Sequence, residues 1–379
     1  MSNSRPPSVP PEFPESHDAL DLLRPKRAPK RLVRASIVEA RRAAAPYTAT
    51  TRVALSHMVR SRMARFGSLV LASLALVAIF ADFLASDLPV VCRWRGQLYW
   101  LPNVTHPAAL STTDCGRMRA EAARGDWLLA PLVAHGPDTT AGSDAALLSP
   151  GTAGHPFGTD AHGRDVFARV VHGARTALGI GLGGSMVLVA IGLVLGALAG
   201  FAGGLVDGIV SRLVESLTAI PTLLLVLVVG SLYPHATTST LVWTIALTRW
   251  TELARLVRAD VLLTLGKDYV TAARALGASP ARVLWRHVLP HAIGPAIVAA
   301  AFGVASIILT EAAVEFLRVD TPDTLASWGE ALGEARASAG AWWLIAFPGT
   351  ALLATLVALN LVGEAARDAL DPYFDRGPT

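Results

Sequence analysis

Long apolar segments, separated by polar and charged stretches, form the main pattern along this chain. A helix that crosses the hydrocarbon core of a bilayer needs about 20 mostly apolar residues. Six segments meet or approach this length, at residues 67–86, 178–201, 219–233, 238–256, 293–313 and 342–362. The second, fifth and sixth are rich in small residues, which allow close helix packing in the bundle interior. The pattern predicts an all-α membrane protein with six transmembrane helices.

The third segment is the shortest and is expected to begin a few residues before 219. Pro221 lies inside it and predicts a kink there, because proline removes a helical hydrogen bond.

The distribution of basic residues predicts the orientation. Residues 1–66 and the loop at 255–291 are rich in Lys and Arg, whereas the loop after the fifth segment is acidic. Cytoplasmic loops carry the excess of basic residues, so both termini are predicted to be cytoplasmic. The predicted domains are a basic, partly disordered cytoplasmic extension at 1–66, the first transmembrane helix at 67–86, a periplasmic loop at 87–175, a membrane domain of five helices at 176–372 with a cytoplasmic helical insert at 266–288, and a tail at 373–379.

Composition supports this class of protein. The chain has 379 residues, of which 52% are hydrophobic and 16% charged, with a mean hydropathy of +0.45. A sequence pI near 9.4 is compatible with nucleic-acid binding, but the basic residues flank apolar segments, so we predict no nucleic-acid partner. Residues 29–45 form either a basic amphipathic helix on anionic lipid or a solvated tail. The only cysteines, Cys92 and Cys115, lie in the predicted external loop, and a disulfide and two free thiols remain equally open.

The cytoplasmic insert has a helix-turn-helix pattern. Good helix formers run from Asp268, and Gly277 is suited to a left-handed helix end. Ser279 and Pro280 have the signature of a second helix start. Pro290 is expected to end that helix before the fifth segment. Two short helices with small faces would present a docking surface for another protein.

The insert resembles the EAA motif of ABC importer permeases. The matching residues are Thr271-Ala272-Ala273, then Gly277, then the hydrophobic-Leu-Pro ending at Leu289 and Pro290, with Thr271 in place of the glutamate. In that family the motif docks onto the ATP-binding subunit. The residues to which the resemblance assigns this coupling role are Thr271, Ala272, Ala273, Gly277, Ala278, Ser279, Arg282, Leu289 and Pro290.

Two further stretches resemble the C-type subunits of dipeptide and oligopeptide permeases: residues 155–178, and residues 327–332 with 347–372. The resemblance implies a type I ABC importer permease fold in the bacterial inner membrane. It also implies a sister permease subunit, two ATP-binding subunits and a periplasmic substrate-binding protein. Peptide is the implied substrate, and nickel or another small solute is the alternative.

No GxxxxGK[ST] phosphate loop occurs in the sequence, so ATP and Mg²⁺ are expected to be used by partner subunits, and no cofactor or catalytic site is assigned to this chain. Two other classes of function remain open. An ion-driven secondary transporter would need paired charges at the midplane and internal repeats. A membrane docking protein without transport would need only the insert.

Polar residues near the second and fifth segments are the remaining candidates. His155, Asp160, His162 and Asp165 form either a metal site or part of a hydrogen-bonded turn where the chain re-enters the membrane; we favour the turn and assign no metal. The residues of this predicted re-entry turn are Gly158, Thr159, Asp160, Gly163, Arg164 and Asp165. Glu311 and Glu315 lie on one helical face, and either line the substrate path or cap an external gate. Pro221 and Asn360 are further candidates for the gate or the substrate path.

Overall fold

A computed structural model describes residues 61–140, 142–152, 154–232, 238–317, 325–338 and 340–370. The predicted N-terminal extension, apart from its last few residues, and the predicted tail lie outside the described residues. The remainder is mostly helical. The helices are α1 (Arg62–Ile79), α2 (Ala81–Leu84), α3 (Pro102–Thr105), α4 (Cys115–Ala120), α5 (Val166–Ala202), α6 (Gly204–Thr218), α7 (Thr222–Leu232), α8 (Thr238–Leu265), α9 (Asp268–Ala275), α10 (Pro280–Val283), α11 (Leu289–Leu317), α12 (Trp328–Glu334) and α13 (Trp343–Leu370).

Four of the described helices are long and apolar enough to cross a membrane: α1, α5, the continuous helix Pro280–Leu317 that contains α10 and α11, and α13. The pair α6 and α7 makes a fifth if it is counted as one span, with a bend of 78° at the break that contains Pro221. The predicted kink is therefore a complete break between two helices. The described helices thus give four or five candidate spans by length and apolarity, compared with the six predicted.

The difference in number lies in α8. This helix runs to Leu265, beyond the predicted end at 256, and it carries five charged side chains from residue 249 onward. They are Arg249, Glu252, Arg255, Arg258 and Asp260. Three of these charges are paired within the fold, because Arg258 Nη2 lies 2.6 Å from Asp207 Oδ2 on α6 and Arg249 pairs with Glu252. Charge pairing lets α8 pack in the bundle without being apolar along its whole length.

Helix α5 is the central element of the bundle and contacts α8, α11, α1 and α13. Its glycines allow this packing. A Cβ at Gly196 would lie 2.5 Å from the carbonyl oxygen of Ala254 on α8, and one at Gly192 would lie 2.9 Å from the Cβ of Leu253. On the α11 side, a Cβ at Gly181 would lie 2.7 Å from Ile308. The predicted close-packing role of small residues in the second segment is confirmed here.

The segment between α1 and α5 contains a small antiparallel sheet, so the all-α prediction is wrong in this part of the chain. The strands are β1 (Val91–Trp94), β2 (Gln97–Trp100) and β3 (Trp127–Leu129), in the order β2-β1-β3. Arg95 and Gly96 both have positive φ angles, of 52° and 81°, as a two-residue hairpin turn requires. The burial of β1 alternates from Cys92 to Trp94, with Arg93 exposed between them, but strands this short leave no long apolar run in the sequence.

Both cysteines belong to this segment, and both are free thiols in the structure. Cys92 on β1 packs with Trp94, Leu110 and Met118 in a buried apolar cluster. Cys115 begins α4 and is fully buried, and burial raises the pKa of its thiol to about 12. Of the two alternatives, the structure shows two free thiols. The high pKa of Cys115 disfavours the thiolate that disulfide exchange requires.

Candidate functional site

The helical insert (residues 268–288) has the two caps that its sequence predicts. Helix α9 ends at Ala275, and Gly277 follows with a φ of 84°. The amide of Ala278 donates to the carbonyl of Ala273 at 3.0 Å, and the amide of Gly277 donates to the carbonyl of Arg274 at 2.9 Å. This is the Schellman pattern, which requires a left-handed residue at the position of Gly277. The turn direction is thus fixed by backbone bonds.

The second helix of the insert starts as its sequence indicates but does not end at Pro290. The hydroxyl of Ser279 accepts from the amide of Arg282 at 3.4 Å, and Pro280 occupies the first helical position. The prediction of an end at Pro290 is wrong, because one π-helical turn at Leu284–Val288 joins α10 to α11. Pro290 follows this π-helical turn, and local π adjustments re-satisfy the backbone groups that a proline frees inside a membrane helix.

The insert is anchored by a buried face and presents an exposed one. Val270, Val283 and Val288 are fully buried in the main core. On the exposed side, Leu276 is 89% exposed and Trp285 is 69% exposed. Large apolar side chains with this exposure indicate an interaction surface. Among the predicted coupling residues, Thr271, Ala272, Gly277, Ser279 and Arg282 are exposed, and Ala273, Ala278, Leu289 and Pro290 are half-buried.

Sequence reasoning missed Leu276 and Trp285 as members of this surface. Their positions in the sequence carry a signal. Leu276 is a large apolar residue beside the Gly277 cap, and Trp285 is one beside Arg286, in an otherwise polar insert. A single large apolar residue can be either buried or exposed, so the sequence pattern alone did not single them out.

The predicted re-entry turn forms a charge network with α12. One carboxylate oxygen of Asp160 accepts from the amides of His162 and Arg164, at 2.8 and 2.9 Å. Its other oxygen accepts from Arg164 Nε at 2.7 Å. The guanidinium of Arg164 then reaches α12, with Nη1 3.4 Å from Glu330 Oε1 and Nη2 in close contact with Glu334 Oε1.

Three further contacts hold α12 and α13 against α5 and the re-entry turn. Arg169 on α5 places Nη2 2.7 Å from Glu330 Oε2. The indole N–H of Trp328 donates to the carbonyl of Val170 at 2.9 Å. The indole N–H of Trp343, at the start of α13, donates to the carbonyl of Thr159 at 3.0 Å. Buried charges and indoles paired in this way form one rigid layer at this end of the bundle.

Two glycines and a capping aspartate give the re-entry turn its shape. Gly158 and Gly163 have φ angles of 78° and 76°, which other residues rarely adopt. Asp165 accepts from the amide of Ala168 at 2.7 Å and so caps the N-terminus of α5. Its second oxygen lies 2.6 Å from Nδ1 of the buried His155.

This geometry bears on the choice between a metal site and a polar turn. His155 pairs with Asp165, so the four candidate ligands are divided between two separate contacts. Ligand atoms of Asp160, His162 and Glu334 do lie within 4.8 Å of one another. Arg164, however, already pairs with the carboxylates of Asp160 and Glu334. A guanidinium in that position supplies the positive charge that a cation would otherwise provide, so the arrangement fits ion pairing.

The four candidates for a gate or substrate path fall in three places. Glu311 and Glu315 are buried on α11, and Glu311 Oε1 accepts from the hydroxyl of Ser327, the N-cap of α12, at 2.8 Å. Pro221 lies at the break between α6 and α7, in a cleft that Arg249 and Thr310 also line. Asn360 is exposed on α13 and does not line this cleft. Neither glutamate lines this cleft, to which α11 contributes Leu309, Thr310 and Ala313.

Comparison with known proteins identifies relatives over most of the chain. The family described as "binding-protein-dependent transport system inner membrane component" matches residues 192–376. The chain is 37% identical over 247 residues to a putative peptide transport system permease protein of Brucella suis biovar 1 (strain 1330), covering 65% of this chain and 82% of that protein. It is 37% identical over 226 residues to the di/tripeptide transport system permease protein DppC of Pseudomonas aeruginosa (strain UCBPP-PA14), covering 59% of this chain and 74% of that protein.

Proposed function

The chain belongs to the family of binding-protein-dependent transport system inner membrane components, and from this premise we propose that it is the permease subunit of an ATP-driven peptide importer. Peptide is the substrate class named for both relatives, and nickel or another small solute is the alternative substrate. The working complex contains this chain, a sister permease subunit, two ATP-binding subunits and a periplasmic substrate-binding protein. ATP and Mg²⁺ are bound by the separate ATP-binding subunits.

We propose that six spans cross the inner membrane, with both termini in the cytoplasm. The broken pair α6–α7 counts as one span, and α8 counts as another because Arg258 pairs with Asp207 and Arg249 pairs with Glu252. The insert then lies on the cytoplasmic side, and the segment with the sheet lies in the periplasm. The basic residues around the insert support this orientation.

The observation that carries the proposal is the insert itself. Its backbone is fixed by the left-handed Gly277 and its buried valines tie it to the core, while Leu276 and Trp285 remain exposed. A rigid, exposed helical insert of this kind suits docking into a groove of an ATP-binding subunit. Closure of the two ATP-binding subunits would move the insert, and the continuous helix Pro280–Leu317 would transmit that movement into the bundle.

The outer charge network fits a role at the periplasmic face. It connects the start of α5 with α12, and Ser327 connects α12 with Glu311 on α11. Elements tied together in this way move as one body between outward-open and inward-open states. Of the two roles considered for Glu311, the contact with Ser327 favours capping a gate over lining the path.

The test is ATPase coupling in the purified complex. The chain is co-expressed with the adjacent permease and ATPase subunits, and hydrolysis is measured with and without the binding protein. Gly277→Asp and Ala273→Asp place a charge on the docking side of the insert. We expect both variants to lose ATPase association or stimulated hydrolysis while the chain stays in the membrane.

Thr271→Glu is the matched control, because it adds an acid to the same insert at the position where the EAA motif has glutamate. We expect it to retain coupling. If the binding protein stimulates ATP hydrolysis in both aspartate variants as it does in the wild type, the insert only connects two helices. That result would favour the secondary-transporter alternative. Association without substrate uptake would favour a docking protein.

A further inference from the structure

A cleft lies where α7, α8 and α11 meet, beside the break at Pro221. Its volume is about 310 Å³, and its lining includes Pro221, Thr222, Arg249, Leu309 and Thr310. Leu309 and Pro221 are exposed, so the cleft opens on the outer surface of this single chain. It combines apolar walls with one cation and two hydroxyl groups, which is the character of a small-ligand site.

The position of Arg249 beside an apolar helix is unusual for a charged side chain. Helix α7 has 11 residues after the break, or about 16 Å of helix, which is about half of a 30 Å hydrocarbon core. The break and the cleft therefore lie about 16 Å from the far end of this apolar helix. Arg249 stands beside this break, and an arginine at this position is costly unless it serves a function.

The guanidinium of Arg249 has unused donor capacity. Nη1 lies 3.2 Å from Glu252 Oε1, and Nη2 lies 3.4 Å from the hydroxyl of Thr310. Nε is buried and has no hydrogen-bond partner within the described part of the chain. The carboxylate of Glu252 is 63% exposed, so this partner can be exchanged for another carboxylate. A planar guanidinium binds a carboxylate through two parallel N–H donors.

The start of α7 adds a second anion-binding element. Helix α6 ends at Thr218 and α7 begins at Thr222, so the first turn of α7 faces the break. The first amides of a helix have no intrahelical acceptor, and they carry the positive end of the helix dipole. Because Thr222 lines the cleft together with Arg249, these amides and the guanidinium are placed at one site. Broken membrane helices bind anionic substrate groups at such ends.

We propose that Arg249 and the N-terminus of α7 bind the C-terminal carboxylate of the transported peptide. The inference rests on the proposed function, because it assigns a substrate subsite to the same permease. Thr310 orients the guanidinium through its hydroxyl, and Leu309 provides apolar contact for the adjoining residue. Under this proposal, a sister subunit completes the path on the open side of the cleft.

The experiment is uptake by the full complex in proteoliposomes with two probes, radiolabelled trialanine and its C-terminal amide. Affinities of the binding protein for the two peptides are measured separately, so that its own preference is subtracted. We expect wild-type kcat/KM to be about tenfold or more higher for the free acid, since hydrogen bonds to charged groups contribute roughly 1.5–3 kcal/mol. Arg249→Gln is expected to abolish this preference by lowering uptake of trialanine alone, mostly through KM.

Two further variants separate the effect of the guanidinium group from the effect of charge and from a general effect of removing an arginine. Arg249→Lys retains the charge without the fork and is expected to keep part of the preference for the free acid. Arg255→Gln, an exposed arginine on the same helix, is expected to behave as wild type. Assembly and basal ATPase activity are recorded for every variant.

An unchanged preference in Arg249→Gln, or an equal loss of uptake for both peptides, would overturn the subsite. The second result would mean that Arg249 pairs with an acid of the sister subunit and is structural. By contrast, absence of ATP-dependent uptake of either peptide by the wild-type complex would contradict the proposed function itself, independently of Arg249.

Discussion

Arg169 of α5 and Glu330 of α12 form a buried ion pair, with Nη2 2.7 Å from Oε2. The side chain of Arg169 is 2% exposed, and the contact is an ion pair rather than a well-aligned hydrogen bond. Asp160 Oδ2 lies 3.9 Å from Nε of the same arginine. The charge of Arg169 is thus balanced by two acids that come from different parts of the chain.

Removing Arg169 should destabilise the fold. Arg169→Met leaves Glu330 and Asp160 without one of their cations, and loss of one partner of a buried pair costs about 3–5 kcal/mol. We expect a large fall in the thermal unfolding midpoint of the detergent-solubilised protein. The matched control is Arg95→Met, because Arg95 and Glu121 are 3.9 Å apart and are 77% and 57% exposed. An exposed pair contributes less than about 1 kcal/mol, so equal shifts in the two variants would contradict the assignment.

Gly196 should be far more sensitive to alanine than Gly183 on the same helix. A Cβ at Gly196 would lie 2.5 Å from the carbonyl oxygen of Ala254, whereas a Cβ at Gly183 meets nothing within 4 Å. Overpacking of a tight contact costs about 1–3 kcal/mol, so Gly196→Ala should separate α5 from α8 and lower the unfolding midpoint. Gly183→Ala should leave it unchanged or raise it. Identical midpoints for both variants would show that the α5–α8 contact is looser than described.

Glu334 should make stability depend on pH near neutrality. Burial raises the pKa of its carboxyl from 4.5 to about 7, with Asp160 adding to the rise and Arg169 and Arg164 opposing it. A raised pKa in the folded state means that the folded protein holds the proton more tightly than the unfolded chain. The resulting stabilisation is complete below about pH 4.5 and is lost as the pH rises through about 7.

We therefore expect the unfolding midpoint to fall between about pH 5 and pH 7 in the wild type, and this slope to flatten in Glu334→Gln. Glu364→Gln removes an exposed acid from α13 and serves as the control, with the wild-type slope retained. The measurement is thermal unfolding followed by intrinsic tryptophan fluorescence across this pH range. A slope that survives in Glu334→Gln would assign the titration to another group.

Local features were the most predictable from sequence. The helix ends at Gly277 and Ser279 depend on residues within one turn of each cap, so the sequence pattern was sufficient. The long apolar helices were found for the same reason, although α5 begins at Val166, within the predicted loop. The predicted helix end at Pro290 was wrong because a π-helical turn precedes the proline and continues the helix, and the sequence pattern does not indicate such a turn.

Contacts between distant parts of the chain were not predictable in this way. Arg164 and Glu334 are 170 positions apart, and nothing in either local pattern indicates the other. Glu330 lies in the acidic loop after the fifth apolar segment, and the composition of that loop does not indicate its partner Arg169. Arg249 lies within the fourth apolar segment, and only the break at Pro221 in a neighbouring helix shows that it lines a cleft.

The sequence by itself determined that this is a helical membrane protein, where its helices cap, and which family motif its insert resembles, because apolar length, capping and motif spacing are properties of nearby residues. The tertiary structure decided which charges neutralise each other, which glycines lie against a backbone, and that Arg249, Thr310 and the start of α7 share one cleft. These relationships depend on distances between helices, and such distances are set by packing of the whole bundle rather than by any single segment.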